Sequence, residues 1–374
     1  MGTISGGNGH RKLRIAQVAP LYESVPPQKY GGTERIVAYL TDELVARGHD
    51  VTLFASGDSE TTARLVAPCA RSLRLSDCID PLPHHYLMLE EVYRRAHDFD
   101  IVHFHVDYLH FPHSRRARIK HLTTLHGRLD ISDLEPMYRE YSDMPLVSIS
   151  DAQRTPLAWA YWRATVHHGL PVDLLPFDPD GGEHLVFVGR ISPEKRVDRA
   201  IEIARRAGRR LVIAAKIDRA DREYARTLEH LLAEPHVEYL GEVDDAEKGR
   251  LIGGAHALLF PIDWPEPFGL VMIEAMACGT PVVAFPGGSV REVMDDGVTG
   301  FIVDDIAEAA EAVERAGQLS RRRIRDVFER RFSAGRMADD YLQVYARLIH
   351  EVSDGRSHAA LPGLHDPGYR IAGG

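Results

Sequence analysis

Residues 257–285 read ALLFPIDWPEPFGLVMIEAMACGTPVVAF, and the order of their textures decides the fold. ALLFP (257–261) and PVVAF (281–285) are short apolar runs of the kind that form strands buried on both faces. Between them a proline-rich turn leads into a helix expected to begin near Pro267 or Phe268. Proline fits a first helical position, because its missing N–H costs nothing there. Strand, helix, strand in succession is the unit from which a parallel sheet is wound.

The same alternation runs outward in both directions. Upstream lie HLVFVGR (184–190), LVIAA (211–215) and VEYLG (237–241), with helical segments between them. Nearer the N-terminus, LRIAQVAP (13–20) is followed by the glycine loop YGGTE (30–34) and then by TERIVAYLTDELVARGH. There Ile36, Val37, Leu40, Leu44 and Val45 recur at helical spacing, with Thr33 expected as N-cap and Gly48 as the C′ stop. VTLFAS (51–56), a helix at 84–97, IVHFHV (101–106), LTTLHG (122–127), a strand near Leu146–Ile149 and a helix from Asp151 continue the series. PVDLLPFDPDGG (171–182) has linker composition. The expected architecture is α/β: two doubly wound parallel-sheet domains, 1–171 and 172–333, facing one another. A helix over 334–352 and a loosely held tail over 353–374 follow.

The chain has 374 residues, 44% hydrophobic and 27% charged, enough apolar material for two cores. A net charge of -10 argues against general nucleic-acid binding. Three cysteines without a CxxC pair suit a reducing compartment, so a Cys69–Cys78 disulfide is less expected than two thiols. MGTISGGNGHRK at the N-terminus is not of signal-peptide type, and Glu274 and Pro281 interrupt the longest apolar stretch. A soluble, cytoplasmic protein is the expectation.

Open parallel sheets bind ligands beyond the carboxyl ends of their strands, and three segments place unusual residues there. In 264–285 the backbone amides of Phe268, Gly269 and Leu270 would lead a helix and offer a site for pyrophosphate. Glu266 precedes that helix. Glu274, eight positions on, is embedded among Val271, Met272, Ile273, Ala275 and Met276, where a carboxylate needs a partner. Two such glutamates taken alone are more often a cap and a solvated face. In VGRISPEKRVD (188–198), Arg190 offers a planar fork and Lys195 a mobile charge, a pair suited to two phosphates or to an ordinary wet loop. The loop Tyr30-Gly31-Gly32-Thr33-Glu34 opens a helix but lacks the G-x-G-x-x-G spacing of dinucleotide sites.

EPFGLVMIE (266–274) resembles the E-x7-E signature of family 4 retaining glycosyltransferases, which have the GT-B fold. The resemblance runs from GGTE (31–34) to GVTGFIV (297–303). It implies two Rossmann-like domains across a cleft, with donor held mainly by the second and a C-terminal helix crossing back to the first. Through it, Arg190 and Lys195 are the donor-diphosphate cations. Gly32, Phe268, Gly269, Leu270 and Val271 border the donor, and Glu274 anchors the ribose. His126 and Glu266 act at the transferred sugar as the catalytic pair. The substrates implied are a nucleotide-sugar donor, with UDP-glucose as default and GDP-mannose as the other choice, and an unidentified acceptor hydroxyl. No cofactor and no metal are implied. Rivals are a sugar-nucleotide 2-epimerase of the same fold, a nucleotide-sugar-binding protein without catalysis and, last, an NAD-dependent oxidoreductase.

Other features stay open. The pairs His84–His85, His103–His105 and His167–His168 invite a metal, yet no HExxH or cysteine–histidine spacing accompanies them. Glu292, in GGSVREVMDDGVTGFIV (287–303), suits a functional role or a cap. Ala214-Ala215-Lys216 departs from the family's glycine there, so Lys216 is an added candidate contact, and Pro265 makes the turn before Glu266 unusual. HSRRARIKH (113–121) reads as a solvated face or as a contact to an anionic acceptor or membrane.

Overall fold

The computed structural model describes residues 11–28, 31–76 and 78–353. The polar N-terminal ten residues, Tyr30 and the tail from 354 lie outside the described residues. Strands form where Val, Ile, Leu, Phe and Ala run together without a breaker, and parallel strands then bury both faces. The strands of the first domain are β1 (Arg14–Val18), β2 (Asp50–Phe54), β3 (Arg64–Val66), β4 (Ile101–Phe104), β5 (His121–Thr124), β6 (Leu146–Ser148) and β7 (Trp162–Thr165), of which β3 and β7 at the edges are only partly buried. They pair in the order β3-β2-β1-β4-β5-β6-β7, parallel throughout.

The second sheet contains β8 (Leu185–Arg190), β9 (Leu211–Lys216), β10 (Val237–Gly241), β11 (Ala257–Phe260), β12 (Val282–Ala284) and β13 (Gly300–Ile302). Its order is β10-β9-β8-β11-β12-β13, again parallel. Each sheet therefore reverses its winding beside its first strand, between β1 and β4 and between β8 and β11. Such switch points open a crevice at the carboxyl ends of the strands.

The helix expected at 84–97 spans Leu82–Arg94, and two further helices differ from the sequence expectation at their starts. The first helix spans Gly32–Ala46 with Gly31 as N-cap, so Thr33 lies inside its first turn and caps nothing. Gly48 does sit just past the end, in the left-handed region at φ 84°. The helix after β11 spans Leu270–Cys278 with Gly269 as N-cap at φ 77°, not Pro267 or Phe268 at its first turn. The reason is packing: Phe268 is driven into the core against His168 and Phe332, and only glycine turns the chain sharply enough to start the helix after it. β3, β7 and β13, each only three or four residues long, were too short for periodicity to reveal.

The last helix, Ala334–Ser353, packs against Gly32–Ala46 in the first domain. Its Tyr341 and Tyr345 are fully buried there. The domains also meet at Glu292 of the second, whose carboxylate accepts the N–H of Asp151 at 2.8 and 2.9 Å and of Ala152 at 3.2 Å. Glu292 thereby caps the short helix Asp151–Arg154 across the domain boundary, and His167 bonds it at 2.6 Å. The capping reading of Glu292 is the one the structure shows. All three cysteines are free thiols. Among the described residues no helix is long and apolar enough to cross a membrane.

Candidate active site

The carboxyl ends of the two sheets enclose a cleft of about 440 Å³. Every residue singled out from sequence for catalysis or donor binding lines it: His126 and Gly32 from the first domain, and Arg190, Lys195, Glu266, Phe268, Gly269, Leu270, Val271 and Glu274 from the second. The domains approach closely here. A side-chain carbon added at Gly32 would lie 3.6 Å from Cδ1 of Leu270, in ordinary van der Waals contact across the cleft.

Arg190 ends β8, and Lys195 follows in the turn after it. Arg190 pairs with Glu194, with Asp218 at 3.4 Å and with Asp221 at 3.3 Å. Lys216, at the end of β9, joins the group through Asp218 at 2.9 Å. Burial opposes ionisation of Glu194 and Asp218, but neighbouring hydrogen bonds and cations outweigh it and hold both below the usual carboxylate range. Lys195 pairs with Glu266, and the indole N–H of Trp264 donates to the same carboxylate oxygen at 3.0 Å. The Lys195 ammonium also faces the Trp264 ring, 4.9 Å from its centroid.

The helix Leu270–Cys278 aims its N-terminus at the cleft. The amides of Leu270 and Val271 lead it, so they have no place in its internal bonding. Phe268 contributes wall rather than an amide at the helix tip, as it precedes the Gly269 cap and is buried. Glu274, one turn in, receives a bond from Lys248 at 2.6 Å, and this is the partner its apolar neighbours require. Burial works against the Lys248 ammonium, yet Glu274 and then Asp245 hold its pKa above the ordinary lysine value. Asp245 also pairs with Arg35 of the first domain, so a chain of alternating charges crosses the cleft floor.

Glu266 owes its place to a glycine. Gly288 lies at φ 55°, and a Cβ there would fall 2.2 Å from the Glu266 carbonyl oxygen. Gly288→Ala is expected to cost on the order of 2–4 kcal/mol from the left-handed backbone and the overpacking together. It should also shift Glu266, read as a lower denaturation midpoint with a lower turnover.

On the opposite wall, His126 follows β5, and its Nε2 meets Nδ1 of His105 at 2.9 Å. Its ring stacks on His168, centroids 5.3 Å apart. Burial pushes the His126 pKa down to about 3. Of the paired histidines, His103 bonds Tyr345 and Thr124, and His105 bonds His126 and Gln17. Among the described residues no group of three or more histidine, cysteine or carboxylate side chains is placed to hold an ion. In the basic stretch, Arg115 is held by Glu140 and Asp143, against the Tyr141 ring.

Sequence reasoning missed Arg35, Asp245 and Lys248, whose spacing carries no motif. It missed Gln17 too, although a glutamine inside the apolar run LRIAQVAP is itself a signal that something polar waits in the core.

Known proteins resemble the chain over both domains. The family model Glycosyltransferase Family 4 matches residues 30–170, and Glycosyl transferases group 1 matches residues 177–327. A phosphatidyl-myo-inositol mannosyltransferase of Mycobacterium leprae is 27% identical over 376 residues, covering 89% of this chain and 96% of that protein. A D-inositol 3-phosphate glycosyltransferase of Geodermatophilus obscurus is 32% identical over 222 residues, 50% of this chain and 46% of its own. Among solved structures, the sucrose-phosphate synthase of Thermosynechococcus elongatus matches with a TM-score of 0.74 at 19% identity, over 91% of this chain and 100% of that one. An Anabaena protein solved with UDP and glucose matches at 0.70 and 17% identity, over 90% and 100%. The two structures speak for the fold, and the two family models between them take in both walls of the cleft and every strand of the two sheets except β1. The chain belongs to glycosyltransferase family 4 and has the GT-B fold.

Proposed function

We propose that the chain transfers a hexosyl group from a nucleoside diphosphate sugar to an acceptor hydroxyl, without a metal and with retention of anomeric configuration. The observation that carries this reading is the convergence in one cleft of Arg190, Lys195 and an open helix N-terminus. Two cations and a positive helix end form a seat for a diphosphate. The carboxylates now paired with Arg190 and Lys195 keep those cations in place until phosphate oxygens take over.

In this mechanism Glu274, steadied by Lys248, holds the ribose hydroxyls. Glu266 and His126 orient the sugar from opposite walls. The bond from the anomeric carbon to the phosphate oxygen lengthens first, and Arg190, Lys195 and the amides of Leu270 and Val271 take up the charge that develops on the diphosphate. The acceptor oxygen then bonds to the anomeric carbon from the face the diphosphate leaves. Its proton passes to the departing phosphate oxygen. Glu266 stabilises the oxocarbenium-like centre, and closure of the cleft keeps water from intercepting it.

UDP-glucose is the first donor to try. GDP-mannose is the second, because the Mycobacterium leprae relative is named a mannosyltransferase. Titrating UDP, GDP and ADP in EDTA against the wild type and Lys195→Ala tests the seat directly. One nucleotide should bind and weaken by roughly 10- to 100-fold in the variant, the worth of a charge-assisted hydrogen bond. Binding that survives the substitution, or none by any nucleotide, would overturn the assignment. Incubation with the matching sugar nucleotide then separates the rivals. Conversion of donor alone to its epimer marks an epimerase. Binding with neither transfer nor hydrolysis marks a protein that only binds.

A further inference from the structure

The first domain contains a buried polar chain that starts on the last helix and ends at the cleft. The amide N–H of Gln17, on β1, donates to the Tyr345 hydroxyl at 3.1 Å. The Gln17 carbonyl oxygen, Oε1, is 2.8 Å from Nε2 of His105. Nδ1 of His105 is 2.9 Å from Nε2 of His126. Gln17 and His105 are buried, and Nδ1 of His126 is a buried nitrogen without a protein partner. A second branch leaves Tyr345 for Nδ1 of His103 at 2.7 Å and continues through Thr124, at 2.7 Å, to Tyr341 at 2.9 Å.

Burial holds His103 and His105 well below the ordinary histidine pKa, so each ring is neutral near pH 7. His126 is neutral for the same reason. A neutral imidazole has one donor and one acceptor nitrogen, and a chain of them therefore has a direction. Gln17 sets it. Its Oε1 can only accept, so His105 must donate from Nε2. Nδ1 of His105 is then an acceptor, and His126 must donate to it from Nε2. What remains on His126, a residue that lines the cleft, is the lone pair of Nδ1, a buried acceptor without a protein partner.

We propose that Gln17, oriented by Tyr345 of the C-terminal helix, is a positioning residue that fixes His126 through His105 as the Nε2–H tautomer, so that its Nδ1 accepts a hydrogen bond from the substrate. The inference rests on the glycosyltransferase reading for the identity of that substrate but not for the tautomer itself. If the Gln17 amide turned over, every donor and acceptor along the chain would exchange. His126 would then present an N–H to a substrate hydroxyl in place of a lone pair. The orientation of one amide thus selects which sugar atoms His126 can recognise.

The experiment is long-range ¹⁵N–¹H correlation on the full chain with labelled histidine, the His126 signals being identified by their loss in His126→Asn. In the wild type, Nε2 of His126 should show the protonated, pyrrole-type shift and Nδ1 the pyridine-type shift. Gln17→Glu has an acceptor oxygen in the same place and should retain that pattern. Gln17→Met and Tyr345→Phe should give averaged or exchanged shifts, with turnover lower by about tenfold and the donor KM little changed, as for other supporting-shell losses. A wild type protonated on Nδ1 overturns the proposal, as does an unchanged His126 pattern in both Gln17→Met and Tyr345→Phe. Tyr345→Phe removes a single oxygen, so it stays informative if Gln17→Met fails to fold. Absence of transfer by the wild type would count against the proposed function and leave the tautomer measurement standing.

Discussion

Arg190→Ala is expected to lower kcat/KM for transfer by about 1,000-fold, the upper range for one group that stabilises developing charge. Two effects combine. The fork that would take up charge on the departing diphosphate is gone. Glu194, Asp218 and Asp221, which Arg190 now holds together, are left as carboxylates beside the seat. They would repel the donor, so the donor KM should rise while kcat falls. Arg190→Lys should recover little, since one ammonium cannot span three acceptors in the geometry of a planar fork. Steady-state kinetics with a donor series checks this. A loss below about tenfold would mean that the diphosphate charge is met elsewhere in the cleft, with Lys216 the first alternative.

The second large effect is on stability. Lowering the pH from 7 to 5.5 should destabilise the protein steeply. His103, His105, His110 and His168 are all buried, and burial holds each well below the ordinary histidine pKa. The unfolded chain binds protons on these groups near pH 6.5, while the folded chain binds them only at much lower pH. Their stabilisation is complete above the unfolded value and is lost as pH falls below it. Each group costs up to about 1.4 kcal/mol per pH unit, so the four together cost on the order of 5 kcal/mol per unit. That compares with a typical total of roughly 5–15 kcal/mol. Denaturant titrations at pH 7, 6 and 5.5 measure the slope. Substituting His110, whose ring bonds Ser114 and Thr123 away from the cleft, should reduce it by up to about 1.4 kcal/mol per pH unit. A flat profile would show that these rings take up protons in the folded state.

The fold was legible because parallel sheets buried on both faces write themselves as unbroken apolar runs. β1, β8, β11 and β12 all carry that signature, and the glycines at 31 and 48 frame the first helix even though its cap was misassigned to Thr33. The cleft residues were legible for a different reason. Their chemistry is concentrated in two short segments, 188–198 and 264–285, beside strand ends. What stayed hidden depends on contacts distant in sequence. Lys248 lies 26 residues from the Glu274 it neutralises, and Arg35 lies 210 from Asp245. No periodicity relates such pairs, because they meet only after two sheets have been placed face to face. The start of the Leu270–Cys278 helix was misjudged by local preference: proline suits a first turn, but the burial of Phe268 decided where the turn fell.

The position of Tyr341 and Tyr345 has a consequence for synthesis. The ribosome makes the strands of the first sheet long before it makes the helix Ala334–Ser353. Until that helix emerges, Gln17, His103 and Thr124 lack the hydroxyls that satisfy them, and the face they share cannot be sealed. The first domain is therefore made first and finished last. Its nascent form must wait, with polar groups exposed, while the whole second domain is translated. A chain cut short before residue 341 would leave that face open for good.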